Sequence, residues 1–566
     1  MTGIFAVSAA LCAAAVAATQ PVAPTIRYAI SPVFKADALA AVDVAARFPC
    51  DKSGKITLTL PSDFAGTREL WRYVKDFAVE GASVEAIDHA VRMLSRCTRA
   101  DVVIRYRVVS AYPHDPTAAG NPYDGAIIRP NWFSAVGEYL FAIPSGSGLA
   151  PAKLVWRHWP KYWKHLDNAS GRSVTLDQLV ETTLLSSPDA VILRRPILGG
   201  ELSFGVLGVK AAAAAAYADK IASILSAQRR FWGDMSGPYT VTQIPLTQVP
   251  SHSSAGGTGR GTGFALYAST DIDSATMLRI LAHEHTHAWI PGRIGNLPDK
   301  EEAQLYWFSE GFTDFYTART LLKSDFWSVD EFVDELNGAL REYAASTVKD
   351  ATNAQIVAQF WKDPAMKRLP YLRGRLIAFL LDNRLRIGSA GKLGLDDLMF
   401  AMRDHWQAAA GDARPRALEN LVATAPAELG LPQLLVDFVH SGHPIVLAPD
   451  LFGACASIET RQAAQYDPGF DRDASAAAGV IVRVDPSGPA FAAGLRSGMK
   501  RISRDGGQDG NPDVPLAYRI VDAQGERVIS YEPRGKLVLE VQRVVLHSNG
   551  HSKVCKDVLS GERGGS

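Results

Sequence analysis

The feature that most constrains what this chain can fold into is the run His283-Glu284-His285-Thr286-His287. Imidazoles four residues apart meet on one face only where the backbone is helical, so the run demands a helix and an element facing it. Two neutral imidazoles so placed suit a borderline metal such as zinc, and Glu284 stands beside them as a base for a water proton. His285 is two positions from either neighbour and faces elsewhere. A catalytic zinc takes three protein ligands and keeps one position open. Glu310, 23 residues beyond His287, is the candidate third ligand, because a loop can return a second helix antiparallel to the first. Asp314 follows one turn later and is expected to hydrogen-bond a ligand imidazole and fix its tautomer.

The flanks Leu278 to Ala282 and Leu305 to Phe312 bury both segments. Several ionisable groups in an apolar setting need compensation, and a metal provides it. With an ion in place, Glu284 would carry a water proton to a leaving amine, and Tyr371, at a helix start in Pro370 to Gly374, is a candidate donor to the developing oxyanion.

A chain of 566 residues exceeds the size at which one core keeps growing, so it divides into several domains. Acidic and basic residues balance at 59 each, which leaves no electrostatic grip for nucleic acid. Residues 1–24 read as a secretory signal with a cleavage site near Val16-Ala17-Ala18, although no Lys or Arg precedes the apolar run. The bulky Leu11 before Cys12 argues against a lipid anchor, and the Ala-rich run is too weakly apolar for stable membrane insertion. Its removal leaves Cys50, Cys97, Cys455 and Cys555, an even set that fits an exported, periplasmic or secreted protein with one bridge near each end. Four buried thiols are the alternative.

The organisation predicted is multidomain α+β. Residues 25–205 read as an antiparallel β domain, with strands at Lys55 to Leu60, Asp101 to Val108 and Ala190 to Arg194. Its aromatic stretch from Trp156 to Trp163 reads as a structural edge. Residues 206–450 open with an Ala-rich helix from Ala211 to Trp232 and continue mainly with period 3.6. A Gly/Ser segment runs from Ser251 to Gly263, and the five glycines among its last eight residues, Gly256 to Gly263, read as a mobile loop. Residues 451–566 return to short strands, with strand, turn, short helix and turn between Gly479 and Met499 and a strand near Leu537 to Val545.

His283 to Ile294, Leu305 to Tyr316 and Pro370 to Gly374 together resemble the core segments of the glycyl aminopeptidase family of zinc peptidases. The resemblance implies a thermolysin-like catalytic domain of the gluzincin type, one Zn2+ on His283, His287 and Glu310, Glu284 as base and Tyr371 as transition-state donor. It also implies an N-terminal β domain and a C-terminal PDZ domain at 451–566, whose Gly469 and Phe470 would take a peptide carboxyl terminus. The family commonly carries Gly-Gly-x-Glu-His upstream of the zinc helix. Here Gly256, Gly257, Gly259 and Arg260 occupy that substrate-binding stretch, with Gly259 in the glutamate's place and Arg260 in the histidine's. Glu301 or Glu302 could replace the lost amine anchor, or Arg260 could receive a substrate carboxylate. A peptide or protein substrate and aminopeptidase-like action are therefore expected. An endopeptidase, a non-peptidase hydrolase of small molecules, and a PDZ-mediated peptide-binding protein with a vestigial zinc site stay open as alternatives.

Overall fold

A computed structural model describes residues 25–561 except 51–53, 65–66, 119, 121–124, 234–235, 250–252 and 298–301. The signal expected at 1–24 and Glu301 lie outside the described residues, as do the side chains of Gly259 and Arg260.

The first third of the chain is β-rich. Ile26–Lys35, Ala38–Pro49, Asp101–Val109 and Val74–Glu80 run antiparallel in a six-stranded sheet, and Pro151–Trp156 joins Ile26–Lys35 in parallel. Along Asp101–Val109 the residues alternate: Val102, Ile104, Tyr106 and Val108 turn inward, while Arg105 and Arg107 turn out to Glu80 and Asp43. Cys50 and Cys97 are disulfide-bonded beside this core. The aromatic stretch folds on itself, with Trp159 and Trp163 centroids 5.1 Å apart and Trp156 stacked on His165 at 4.5 Å.

A second, five-stranded sheet has the order Val191–Ile197, Gly200–Val206, Tyr239–Leu246, Gly263–Ser269, Ala255–Arg260. The middle three strands are parallel, and the crossover between Gly200–Val206 and Tyr239–Leu246 is the helix Ala211–Trp232. Alanine suits that helix, and Ala214, Ala218, Ile221 and Leu225 recur every three or four residues on its buried face. The sheet crosses the boundary expected at 205, because Gly200–Val206 pairs directly with Tyr239–Leu246. Ile244 and Tyr267 face the N-terminal core, whereas Val241 and Phe264 face the helices.

The mobile loop expected between Gly256 and Gly263 is instead largely the edge strand Ala255–Arg260. It pairs antiparallel with Gly263–Ser269 through a turn at Gly261, whose φ is 57°. Glycine carries no strand preference of its own, and the neighbouring strand imposes the extended conformation.

Helices occupy the centre of the chain. Tyr306–Lys323 is buried on nearly every side and crosses Pro364–Gly388, with Val329–Ala345 packed beside them. Among the described residues, no helix is long and apolar enough to cross a membrane. The C-terminal part begins with a ribbon of Ala456–Tyr466 and Arg534–Leu546, docked on the helices through Ile458 and Val544. Asn337 exchanges two hydrogen bonds with the Val544 backbone, at 2.7 and 3.1 Å. A separate small core of Phe470, Ile481, Leu495 and Tyr518 lies against the sheet Lys500–Gly506, Leu516–Asp522, Gly525–Tyr531. The strand expected near Val480 is not formed beyond one isolated bridge to Lys500. Arg483 takes φ 53°, and the Val482 N–H is drawn to Ser475 Oγ at 2.9 Å. Cys455 and Cys555 are disulfide-bonded.

Candidate metal centre

The histidine helix, Ser274–Thr286, starts where Asp273 caps it by accepting from the Thr276 N–H at 2.8 Å. Leu278, Leu281 and Ala282 bury one face. His283 lies in the last turn and His287 is the C-terminal cap, still in right-handed helical conformation, so the two rings stand 4.8 Å apart. His285 leaves the opposite side and is fully buried, its Nδ1 2.7 Å from Gln228 Oε1.

Two outer contacts set the direction of the ligand rings. His283 Nδ1 donates to Asp314 Oδ1 at 2.9 Å, and His287 Nδ1 donates to the Ile290 carbonyl at 2.8 Å. Each Nε2 is thereby aimed at one point, 3.3 and 3.4 Å from Glu310 Oε2. One ligand atom from each of the three residues falls within 4.8 Å of the others. The side chains keep 12%, 20% and 15% exposure for His283, His287 and Glu310. Two imidazoles and a carboxylate with an open side are a donor set that fits zinc.

The electrostatics follow from this closeness. Burial opposes ionisation of Glu310, but the His287 and His283 imidazoles outweigh it and hold the carboxyl well below its usual range. Burial likewise works against the imidazolium of His283, yet Asp314 and Glu310 push it up to about 10, and Glu310 raises His287. Glu284 shifts the other way. Burial raises its carboxyl, the two imidazoles only partly offset this, and Glu310 adds to the rise.

Tyr371 reaches the site from the tyrosine helix, Pro364–Gly388, which starts seven residues before the position expected for it. Its ring lies 6.2 Å from that of His283, inclined by 21°, with the Arg368 guanidinium 5.7 Å from its centre. Burial and then the carboxylates of Glu310, Glu284 and Asp314 raise its hydroxyl well above the ordinary value, so it stays a donor. Two glycines set how closely this helix meets the one carrying Glu310. A Cβ on Gly311 would lie 2.4 Å from Gly374 Cα, and one on Gly374 would lie 1.7 Å from the Trp307 carbonyl oxygen. Each glycine follows its functional residue within three positions, a signal the sequence carries but does not by itself connect.

Residues 276–367, which hold both histidines, Glu284, Glu310 and Asp314, match the model of the M61 glycyl aminopeptidase family. The chain is a zinc metallopeptidase of the aminopeptidase type. In fold, the metallopeptidase is similar to an aminopeptidase N family protein from Idiomarina loihiensis. That likeness covers 94% of this chain and 100% of the other at 17% identity, with a TM-score of 0.67. An M1 zinc metallopeptidase from Deinococcus radiodurans aligns over 75% of this chain and 94% of its own at 13% identity, with a TM-score of 0.45. No curated protein matches the chain.

The remaining residues singled out in the metallopeptidase sequence are not members of the ligand cluster. Gly256, Gly257 and Gly259 lie in the edge strand, with Arg260 at its end paired to Gly263. Gly257 has a packing reason, since a Cβ there would lie 2.1 Å from Phe264 Cζ. Glu302 accepts from the Tyr306 hydroxyl at 3.1 Å. Gly469 and Phe470 belong to the C-terminal core, where the Gly469 N–H donates to Asp467 Oδ1 at 2.8 Å and Phe470 packs on Tyr518. Sequence reasoning missed Arg279, Glu335 and Arg375, which surround Asp314. The cue was a cation one helical turn before His283.

Proposed function

We propose that this metallopeptidase removes residues from the amino end of peptides, with one zinc ion held by His283, His287 and Glu310. The observation that carries the reading is the convergence of both Nε2 atoms on Glu310 Oε2, with the Tyr371 ring 6.2 Å from that of His283 and Glu284 close enough to interact electrostatically with all three ligands. A bound zinc ion supplies Lewis acidity for the scissile carbonyl and for water. Glu284, its carboxyl raised by burial, takes the proton of the attacking water and returns it to the leaving amine. Tyr371 donates to the carbonyl oxygen as negative charge collects there. Asp314 and the Ile290 carbonyl keep the imidazoles from rotating.

The edge strand Ala255–Arg260 offers backbone for an extended peptide, with Gly259 in the sequence place of the family's amine-holding glutamate and Arg260 in that of its histidine. We assign 451–566 to a PDZ-like module that braces the catalytic part. Support comes from the Gly469 N–H, already bonded to Asp467, and from the Asn337 contact with the C-terminal ribbon. The two disulfides favour an oxidising, exported setting.

The test is a mass-spectrometric cleavage profile on a mixed peptide library, comparing zinc-loaded protein, chelated protein and Glu284→Gln. Stepwise shortening from the amino end, lost on chelation and in the variant, is the expected result. Internal cuts would replace the aminopeptidase reading by an endopeptidase one.

A further inference from the structure

Beside His283, at its Nδ1 edge, four charged residues meet. Each comes from a different helix: Arg279 from Ser274–Thr286, Asp314 from Tyr306–Lys323, Glu335 from Val329–Ala345 and Arg375 from Pro364–Gly388. Arg279 Nη2 donates to Asp314 Oδ1 at 3.4 Å and to Glu335 Oε1 at 3.3 Å. Arg375 Nη1 donates to the same Glu335 oxygen at 2.7 Å, and its Nη2 makes a second ion-pair contact with Oε2. The Arg375 and Asp314 side chains are only 2% and 6% exposed.

Two carboxylates and two guanidiniums cancel, which is the condition under which four charges can share a buried site. The way they share acceptors reaches further than neutrality. One oxygen of Asp314 takes both the His283 Nδ1–H and the Arg279 guanidinium, so the two donors compete for it. Arg279 in turn is divided between Asp314 and Glu335. With the Glu335 charge removed, both guanidiniums would be left with Asp314 as their nearest carboxylate, and Arg279 would close on the oxygen that holds the imidazole.

We infer that Glu335 is a positioning residue of the metal centre: acting through Arg279 and Arg375, it leaves Asp314 free to hold His283, whose Nε2 then faces the ion. This rests on His283 being a metal ligand. Outer partners of ligand imidazoles change metal affinity by roughly 10- to 100-fold, and a group one step further out belongs at the lower end of that range.

The experiment is zinc affinity of the full chain by competition with a chromophoric chelator, for wild type, E335Q, D314N and the double variant. E335Q should bind zinc about tenfold more weakly. The double variant should bind no more weakly than D314N, because the effect passes through Asp314. Unchanged affinity in E335Q, or the same factor lost again in the D314N background, overturns the inference. Should E335Q fail to fold, Arg279→Gln, at a side chain that is 30% exposed, removes the donor that competes with His283 for Asp314 and should bind zinc no more weakly than wild type. A loss of zinc affinity in that variant would equally overturn it. A wild-type protein that takes up no zinc would instead remove the ligand assignment on which the inference stands.

Discussion

Two walls meet at the histidine helix, built on opposite principles. One is the crossing of four helices, where His283, Glu310, Tyr371, Asp314, Arg279, Arg375 and Glu335 restrain one another through short contacts. The other is the strand Ala255–Arg260, with glycine at three of its six positions and a backbone held mainly by its pairing with Gly263–Ser269. On the first wall a side chain cannot move without disturbing a charge. The second wall presents chiefly peptide groups, which can pair with any extended peptide whatever its side chains. On the function proposed above, the difference separates chemistry from recognition, and substitutions on the two walls should fail in different ways.

The largest effect expected is from Glu284→Gln, which keeps the shape but cannot take a proton. It should lower kcat by about a thousandfold, with zinc content unchanged by metal analysis. Residual activity within tenfold of wild type would remove Glu284 as the base. Tyr371→Phe comes next. It deletes one donor to the oxyanion and should lower kcat by about a hundredfold with little change in KM. A change confined to KM would move Tyr371 to the recognition side.

Packing gives a paired test. Gly374→Ala forces a Cβ against the Trp307 carbonyl and should cost about 3 kcal/mol of stability by denaturant unfolding. Because that contact sets the distance from Glu310 to Tyr371, kcat should fall with it. Gly257→Ala presses on Phe264 and should cost about 2 kcal/mol. Its effect on turnover should appear in KM, and zinc affinity should be untouched. Equal losses of zinc affinity in the two variants would erase the distinction between the walls.

The helical wall was legible in the sequence where periodicity carried it. The pairing of His283 with His287 follows from spacing, because a helix turns a four-residue interval into adjacency, whereas Glu310 reaches them from the second helix expected after a loop. Arg279, Glu335 and Arg375 were not legible, since their pairing joins three separate helices and no local interval encodes it. The glycine crossing escaped for the same reason. The strand wall misled outright. Five glycines between 256 and 263 suggest mobility, and only the neighbouring Gly263–Ser269 makes an ordered edge of them. Near Val480 the error ran the other way, where an apolar run with strand preference is turned aside by the positive φ of Arg483.

The effect most specific to the helical wall concerns protons. In the metal-free protein His283 holds its proton up to about pH 10, because Asp314 and Glu310 outweigh its burial. Its Nδ1–H is committed to Asp314, so the proton that an ion must displace is the one on Nε2. At pH 7 zinc binding should therefore release about one proton per ion, measured by calorimetric titration in buffers of different ionisation enthalpy. The sign is fixed: a raised pKa makes protons stronger competitors, so zinc affinity should rise by about tenfold per pH unit above 7 and level off near the histidine pKa. His287, raised by Glu310, adds to the slope wherever it too is protonated. An affinity independent of pH between 7 and 9 would mean that the imidazole is already neutral there. The carboxylates would then not govern His283, and the helical wall would be no more restrained than the strand facing it.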